Sequence, residues 1–249
     1  MGNRRAERRR ESGELSASYF RADNNNDILF VTSAQSGFGY FRNFGQTRRR
    51  GIETEANKTF MEKVTLGVGY TLLAATYESA ETVNGTGNSS NDAGNGLEGT
   101  IDIKPGDRVP LTPRHMLKSF IDYQPTRKLS FDLSLVAVSS ALARGNENGL
   151  HQPDGNYYLG PGKSSGYGVV DAGARYQFHP RLELVAQLNN VFNKRYASAA
   201  QIGPTGFTEA NTFIARPFAA INGEFPVQQS TFFAPGAPRS FWVATRVKF

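Results

Sequence analysis

Few residues of this sequence have the types and spacing that catalysis or metal binding requires. The histidines His115, His151 and His179 are far apart, and none stands at metal-ligand spacing with another histidine or a carboxylate. Each is interpreted as a satisfied surface or turn histidine. Glu53 and Glu55 resemble a general acid and base pair, but two residues apart on a strand they only share one face.

Other chemical motifs are equally weak. Gly37 and Gly39 in "SGFGYF" resemble part of a phosphate-binding loop, but no helical pattern follows, so a glycine-rich loop tip is expected. The chain has no cysteine, which excludes a disulfide framework, a thiolate metal site and a cysteine nucleophile. We therefore expect no enzyme activity, no cofactor and no bound metal.

Strands dominate the elements that could position these residues. Glycine is abundant, with 26 residues, and aromatic residues make up 12% of the chain, a composition that favours strands and turns. In "VTLGVGYTLLAATY", large apolar residues from Val64 to Leu72 alternate with threonine and glycine. This period of two predicts a strand with one apolar and one small polar face.

Similar alternation recurs along the chain, in about nine segments. They are ELSASYFRA, DILFV, RRRGIETEANKTF, VTLGVGYTLLAATY, HMLKSFIDYQ, KLSFDLSLVAV, GVVDAGARYQF, RLELVAQLNNVF and SFWVATRVKF. We predict an all-β fold in which these segments form an antiparallel sheet. Because half of each strand is polar, a mean hydropathy of -0.45 is compatible with a transmembrane β-barrel.

The connectors between these segments alternate in length. Short connectors are predicted at 23–26, 61–63, 125–127 and 179–180, and long ones at 33–46, 79–113, 139–165 and 193–238. One end of the sheet therefore has only tight turns and the other only long loops. Outer-membrane barrels divide their periplasmic turns and extracellular loops in this way. The apolar face is then expected to contact lipid.

Charge and hydropathy further restrict the class of protein to which the chain can belong. No stretch of about 18 apolar residues occurs, so a transmembrane helix is excluded. The net charge of +6 includes basic runs at the start of the chain and in "TRRRG", but no aromatic residues interleave with these arginines, so nucleic acid is not an expected partner. Met1 is followed by arginines and not by an apolar segment, so no signal peptide is expected in this chain.

Several segments together resemble TonB-dependent outer-membrane receptors. "NNVFNKRYAS", a long loop and "APGAPRSFWVATRVKF" resemble the closing strands of that family, and "RRRGIETEANKTFMEKVTLGVGYTLLAATY" and "VPLTPRHMLKSFIDY" resemble earlier strands. The resemblance covers residues 11–249, preceded by a basic extension at 1–10. It implies a C-terminal portion of a 22-stranded barrel, of the siderophore-receptor type, without the N-terminal plug domain.

The resemblance also implies partners and sites. Family members are transporters of the bacterial outer membrane, where lipid and lipopolysaccharide surround them, and the TonB complex acts on the plug. The ligand, commonly a ferric siderophore, contacts extracellular loops; here the aromatic and arginine residues suited to it are Tyr40, Phe41, Arg42, Arg144, Tyr157, Tyr158, Phe213 and Arg216. The barrel assembly machinery recognises a terminal strand signal, which corresponds to Phe241, Thr245, Val247 and Phe249.

Two alternatives stay open from the sequence. The chain could be a truncated gene product with no activity of its own, which the expected lack of a signal peptide, plug and TonB-binding segment favours. It could also be a soluble all-β domain that binds carbohydrate. That domain would bury the apolar face against a second layer of the same molecule, whereas a membrane barrel would leave it exposed.

Overall fold

The computed structural model describes residues 13–32, 39–216, 218, 224 and 226–248. Most of these residues lie in β-strands or in the loops that connect them. Their bounds are β1 Gly13–Thr32, β2 Gly39–Phe60, β3 Val64–Tyr77, β4 Glu81–Asn84, β5 Thr100–Ile103, β6 His115–Thr126, β7 Leu129–Val138, β8 Ala141–Leu142, β9 Tyr158–Leu159, β10 Lys163–Ser164, β11 Tyr167–His179, β12 Leu182–Asn189, β13 Ala197–Pro204, β14 Gln229–Pro235 and β15 Ser240–Val247. The predicted basic extension at residues 1–10 lies outside the described residues, as does Phe249.

One large antiparallel sheet organises the molecule. Its eight strands follow the order β1-β2-β3-β6-β7-β11-β12-β15, so each strand of this sheet pairs with the next one along the chain. Three small sheets, β4-β5, β8-β10 and β13-β14-β9, lie within the long connectors. The predicted all-β antiparallel architecture is confirmed.

Two faces of the large sheet differ in chemistry. Because side chains alternate along a strand, cross-strand neighbours lie on the same face. Leu133 lies opposite Ile121 on β6 and Ala172 on β11, and this side is called the apolar face. Its neighbour Asp132 lies opposite Asp122 and Gly173, on what is called the polar face.

Large side chains on the apolar face are exposed. Leu133 is 43% exposed, Ile121 43% and Val68 44%. Among the described residues, the buried apolar side chains that form clusters are found elsewhere, around Phe44 and around Ile202. No second layer formed by the described residues therefore covers this face, which contradicts the soluble-domain alternative and fits a face that contacts lipid.

The strand count differs from the sequence prediction. "ELSASYFRA" and "DILFV" were predicted as two strands joined by a turn at 23–26, but they form the single strand β1, so the large sheet has eight strands and not about nine. Asn26 has a positive φ of 53°, yet the pairing with β2 continues on both sides of it. A single left-handed residue perturbs the strand locally without reversing it.

The first predicted loop is also shorter than expected. The prediction placed a connector at 33–46, but β2 begins at Gly39 and pairs with β1 as far as Thr32. Residues 39–46 therefore belong to a strand. Their asparagine and glycine content suggested a loop, and the register with β1 overrides that local preference.

The other short turns match the sequence prediction closely. The turn at 61–63 separates β2 from β3, and Met61 and Glu62 take the positive φ values that such a turn needs. The turns after β6 and β11 begin one or two residues later than predicted, because a register shift lengthens each strand. All three lie at the end of the sheet opposite to the long connectors.

A hydrophobic cluster stabilises the long connectors above the sheet. Phe44 is 1% exposed, and its ring centroid lies 4.7 Å from that of Tyr77, which is 3% exposed. The β4-β5 hairpin contributes Val83, Ile101 and Ile103 to the same cluster. The tops of β1, β2 and β3 therefore form a core with the hairpin, and this core holds the loop end of the sheet in one arrangement.

Candidate functional site

A cavity of about 710 Å³ opens between the long connectors at the loop end of the sheet. Four segments contribute most of its wall, and they are 84–88, 144–145, 199–205 and 232–234. Single residues complete it, and they are Phe30, Gly39, Leu111, Arg216 and Gln229. The volume is that of a site for a small molecule.

A small sheet forms one wall of this cavity. β13 pairs with β14, and β14 pairs in parallel with β9. The backbone of Arg144 joins this wall, since its N–H donates to Ala200 O at 3.0 Å and its carbonyl accepts from Ile202 N at 2.8 Å. Ala143, Ala200 and Ile202 form a buried cluster beneath it. The backbone of Arg144 is thus fixed relative to the wall.

Two guanidinium groups line the cavity. The guanidinium of Arg144 lies 4.5 Å from the ring centroid of Phe30, and that of Arg216 lies 5.4 Å from the ring centroid of Phe218. Neither has a carboxylate within ion-pair distance among the described residues. Stacking on an aromatic ring orients each group while leaving its N–H donors available for an anion.

Glu147 lies behind Arg144 and is buried. Its Oε1 accepts a hydrogen bond from Gly145 N at 2.9 Å. Burial raises the pKa of Glu147 above its usual range. The positive charge of Arg144 opposes this shift without forming an ion pair with Glu147.

His151 links two connectors from a buried position. Its Nδ1 accepts from Ser89 N at 3.1 Å, and its Nε2 is 3.3 Å from Gly160 O. These two contacts require the neutral tautomer with a proton on Nε2. Burial lowers the pKa of His151, which favours that neutral form. The interpretation of a satisfied surface or turn histidine is therefore corrected, because the side chain is satisfied but only 4% exposed.

The family follows from a comparison with models of known protein families. The model described as TonB dependent receptor-like, beta-barrel matches residues 8–191, well over half of the chain. The chain belongs to the TonB-dependent receptor family. Members of this family are transporters of the bacterial outer membrane and not enzymes. No curated protein sequence matches the chain.

Solved receptor structures share the fold. The ferric-catecholate import receptor Fiu of E. coli K12 is 19% identical with a TM-score of 0.55, and the match covers 95% of this chain and 25% of Fiu. The ferric yersiniabactin uptake receptor FyuA of Yersinia pestis is 17% identical with a TM-score of 0.57, covering 95% and 28%. The copper transporter OprC is 18% identical with a TM-score of 0.60, covering 95% and 30%.

These matches show how much of a receptor the chain spans. The chain spans between a quarter and a third of the length of the solved structures it matches. Within the described ranges, no helix is long and apolar enough to cross a bilayer. In that same part of the chain, no three histidine or carboxylate side chains gather where they could hold a metal ion.

Two of the predicted ligand-binding residues, Arg144 and Arg216, line the cavity of this TonB-dependent receptor chain. Tyr40, Phe41 and Arg42 were predicted in a loop, but they lie on β2 outside the cavity lining. Arg42 forms an ion pair with Glu81, at the base of the β4-β5 hairpin. The β1-β2 pairing therefore explains their position, and contact with a ligand stays a prediction for all of them.

Tyr157 and Tyr158 are buried, at 4% and 1% exposure, and their rings pack edge to face 4.8 Å apart. Burial raises the pKa of Tyr157 to about 12, so a phenolate is not available near neutral pH. These tyrosines support the loop next to β14 in this structure. Phe213 is 66% exposed and packs on Phe207, away from the cavity lining.

Sequence reasoning missed several residues that line the cavity. Phe232, Phe233 and Gln229 lie in a segment that was treated as one long connector, 193–238, although it contains the β13-β14 hairpin. Gln229 and Thr231 are buried while Phe232 is exposed, so burial in β14 does not follow residue type and the sequence carried no period-two signal for this strand. Phe30 was assigned to a strand, and nothing in the sequence indicated that it would lie under Arg144.

The predicted assembly signal lies on the terminal strand. Phe241, Thr245 and Val247 belong to β15, where they share the apolar face with Leu188, Leu184 and Leu182 of β12. Phe249 lies outside the described residues. The role of this strand in barrel assembly stays a prediction.

Proposed function

We propose that the chain is the C-terminal part of the barrel of an outer-membrane receptor that imports a scarce ligand, and that this ligand is a ferric siderophore. The observation that carries the proposal is the cavity of about 710 Å³ at the loop end, which Arg144 and Arg216 line without a carboxylate partner among the residues that the structure describes. The exposed apolar face supports the membrane location, since a bilayer would cover it.

The chemistry of the cavity suits an anionic, aromatic chelate. Catecholate and carboxylate groups carry negative charge, which two guanidinium groups would balance through paired hydrogen bonds. Phe232 and Phe233 are 49% and 47% exposed beside them and offer flat apolar surfaces. Gln201 adds a polar group to the wall.

Similar structures favour a metal complex as cargo. Two of them are named for ferric-catecholate import and ferric yersiniabactin uptake, and a third is a copper transporter. Because one of them is a copper transporter, fold similarity supports the import of a metal in general and does not select one particular chelate. The arginines are the reason for preferring an anionic iron chelate.

Further partners belong to the same proposal. In the complete receptor, TonB supplies energy through an N-terminal plug, the barrel assembly machinery inserts the strands, and lipid with lipopolysaccharide surrounds the apolar face. Within this chain, β1 and β15 are the edge strands of the large sheet. Their unpaired backbone groups would cost several kcal/mol each in lipid, so neighbouring strands are needed for a closed barrel. Transport is therefore assigned to the complete receptor, and the chain without those strands is proposed to be inactive.

Ligand uptake by cells that express the complete receptor tests the proposal. Uptake of a ferric catecholate should require TonB, and uptake that is indifferent to TonB would contradict the mechanism. Arg144→Ala should weaken ligand binding about tenfold to a hundredfold, since a hydrogen bond to a charged group contributes roughly 1.5–3 kcal/mol. Arg181→Ala is the matched control, because Arg181 lies in the tight turn between β11 and β12, at the opposite end of the sheet and outside the cavity lining. Equal effects of the two substitutions would contradict the assignment of this cavity.

A further inference from the structure

Two of the long connectors are held together at the loop end of the sheet. Segment 88–90 lies between β4 and β5, segment 145–152 follows β8, and hydrogen bonds join the two segments. Three of these bonds run from Asn88 Nδ2 to Gly145 O at 2.9 Å, from Asn148 Nδ2 to Ser90 Oγ at 2.8 Å and from Gln152 N to Ser89 Oγ at 2.7 Å. These three bonds and the one from Ser89 N to His151 Nδ1 are called the connector clamp.

The connector clamp joins two parts of the cavity wall. Segment 84–88 lines the cavity and ends at Asn88, whose side chain is 1% exposed. Gly145 lines the cavity from the other connector and directly follows Arg144. Because Asn88 binds the backbone of Gly145, the distance between segment 84–88 and Arg144 depends on the clamp.

His151 is the titratable member of the connector clamp, and its ring is closely packed. The ring meets that of Tyr158 edge to face, with the centroids 5.7 Å apart. On another side, a Cβ atom added to Gly162 would lie 2.6 Å from His151 Cδ2, so the backbone of Gly162 lies close against the ring. The ring therefore has little room to turn away from Ser89.

Protonation of this ring makes its contact with Ser89 repulsive. A protonated imidazole carries an N–H on both nitrogens, so Nδ1–H would face the N–H of Ser89, donor against donor. The hydrogen bond from Nε2 to Gly160 O persists, because Nε2 is a donor in both states. A buried donor without an acceptor is unfavourable. Movement of segment 88–90 away from the ring removes the conflict.

Charges near His151 support its assignment as the group that responds to acid. Burial lowers the pKa of His151, and Asp154 on the same connector opposes that shift. Burial raises the pKa of Tyr158 far above neutral, so its phenol does not change charge in this range. Glu147 has a raised pKa, so acid favours its buried neutral form and the closed arrangement. Segment 88–90 itself contains no ionisable side chain.

We propose that His151 is an acid-sensitive latch of the cavity, which holds segments 88–90 and 145–152 together while neutral and lets them separate when protonated. Opening of the latch moves segment 84–88 away from Arg144 and widens the cavity. The latch concerns the shape of the cavity and not the identity of its ligand, so it goes beyond the proposed function. Weaker ligand binding in acid is a consequence that rests on the proposed function.

Distances between two spin labels in the complete receptor, purified in detergent micelles, test the latch. This chain has no cysteine, so Ala93→Cys and Leu150→Cys supply one exposed label site beside each segment, once any cysteine elsewhere in the receptor is replaced by serine. As the pH falls from about 7.5 to about 5, the fraction with the longer distance should rise about tenfold, which corresponds to the loss of one buried hydrogen bond.

Substitutions at three positions separate the latch from a general effect of acid. His151→Asn places an oxygen at the position of Nδ1 that accepts from Ser89 N at every pH, so the short distance should persist in acid. Asp154→Asn removes the charge that favours the protonated ring, so opening should require a lower pH. His179→Asn is the matched control, because His179 is exposed at the opposite end of the sheet, and this variant should open as the unmodified receptor does.

Three results would overturn the inference. One is a label distance in the unmodified receptor that does not change with pH. Another is an acid opening that persists in His151→Asn or is lost in His179→Asn. The third applies if His151→Asn is open at both pH values, and it is an opening midpoint that Asp154→Asn leaves unshifted. Uptake of a ferric catecholate that is indifferent to TonB would contradict the proposed function and not the latch, so the two failures are distinguishable.

Discussion

Substituting one residue on each face of β7 tests the orientation of the sheet in a bilayer. We expect Leu133→Arg to destabilise the membrane-inserted chain strongly, and Ser134→Arg to have little effect. The two positions are adjacent and receive the same side chain. Leu133 lies on the apolar face at 43% exposure, whereas Ser134 lies opposite Phe120 and Asp171 on the polar face.

The position of Leu133 determines the magnitude. β7 runs from Leu129 to Val138, a length of roughly 33 Å along the strand and about 25 Å across the bilayer after tilt. Leu133 is near the middle of this strand, so an arginine there faces the bilayer midplane. The expected cost is about 2–4 kcal/mol, compared with about 0–1 kcal/mol on the wet face.

Urea titration of the complete receptor folded into phosphatidylcholine vesicles measures this difference. Trp242 is the only tryptophan of this chain and lies on the polar face of β15, so, with any other tryptophan of the receptor replaced by phenylalanine, its fluorescence reports unfolding from a position outside the lipid contact. A loss of stability that is equal for the two variants, or greater for Ser134→Arg, would refute the assignment of the faces. The proposed function would then lose its basis.

Three further predictions concern the connectors at the loop end. Phe44→Ala should cost about 3–5 kcal/mol locally, because it removes a buried ring, and hydrogen exchange should show lost protection in the β4-β5 hairpin while β7 stays protected. His151 has a pKa below its unfolded value of about 6.5, so its contribution is complete above that pH and is lost as pH falls through the folded pKa. Protection from exchange at 146–162, measured relative to the intrinsic exchange rate at each pH, should therefore decrease on acidification in the unmodified chain but not in His151→Gln. Glu147 has the opposite sign, since its raised pKa makes the folded state less stable as pH rises, so Glu147→Gln should protect this region equally or better at pH 8, and a marked loss there would contradict its neutral state.

Most of the large sheet could be predicted from sequence because its rules are local. Alternation of apolar and polar residues depends on a strand period of two, so the segment from Val64 to Leu72 predicted both a strand and its two faces. The turn at 61–63 was equally visible. At 23–26 the local asparagine signal predicted a turn, and only pairing of β1 with β2 across the whole segment shows a continuous strand.

The candidate site could be predicted only in part. The family resemblance, with residue type and connector length, predicted that arginines and aromatic residues of the loop end contact a ligand, and of these Arg144 and Arg216 line the cavity. The same reasoning selected Tyr157 and Tyr158, whose rings are buried in this structure. An aromatic residue in a loop serves equally well as a ligand contact or as loop core, and its sequence neighbours do not distinguish the two roles.

The amino-acid sequence by itself determined most strands of the large sheet, their two faces and the side of the sheet on which the long connectors lie. The tertiary structure alone decided how those connectors pack on one another. Arg144 reaches Phe30 and the backbone of Ile202, and His151 reaches Ser89, across separations of more than 50 residues. Such contacts depend on which surfaces meet after the sheet has formed, and no periodicity within a single segment encodes that meeting.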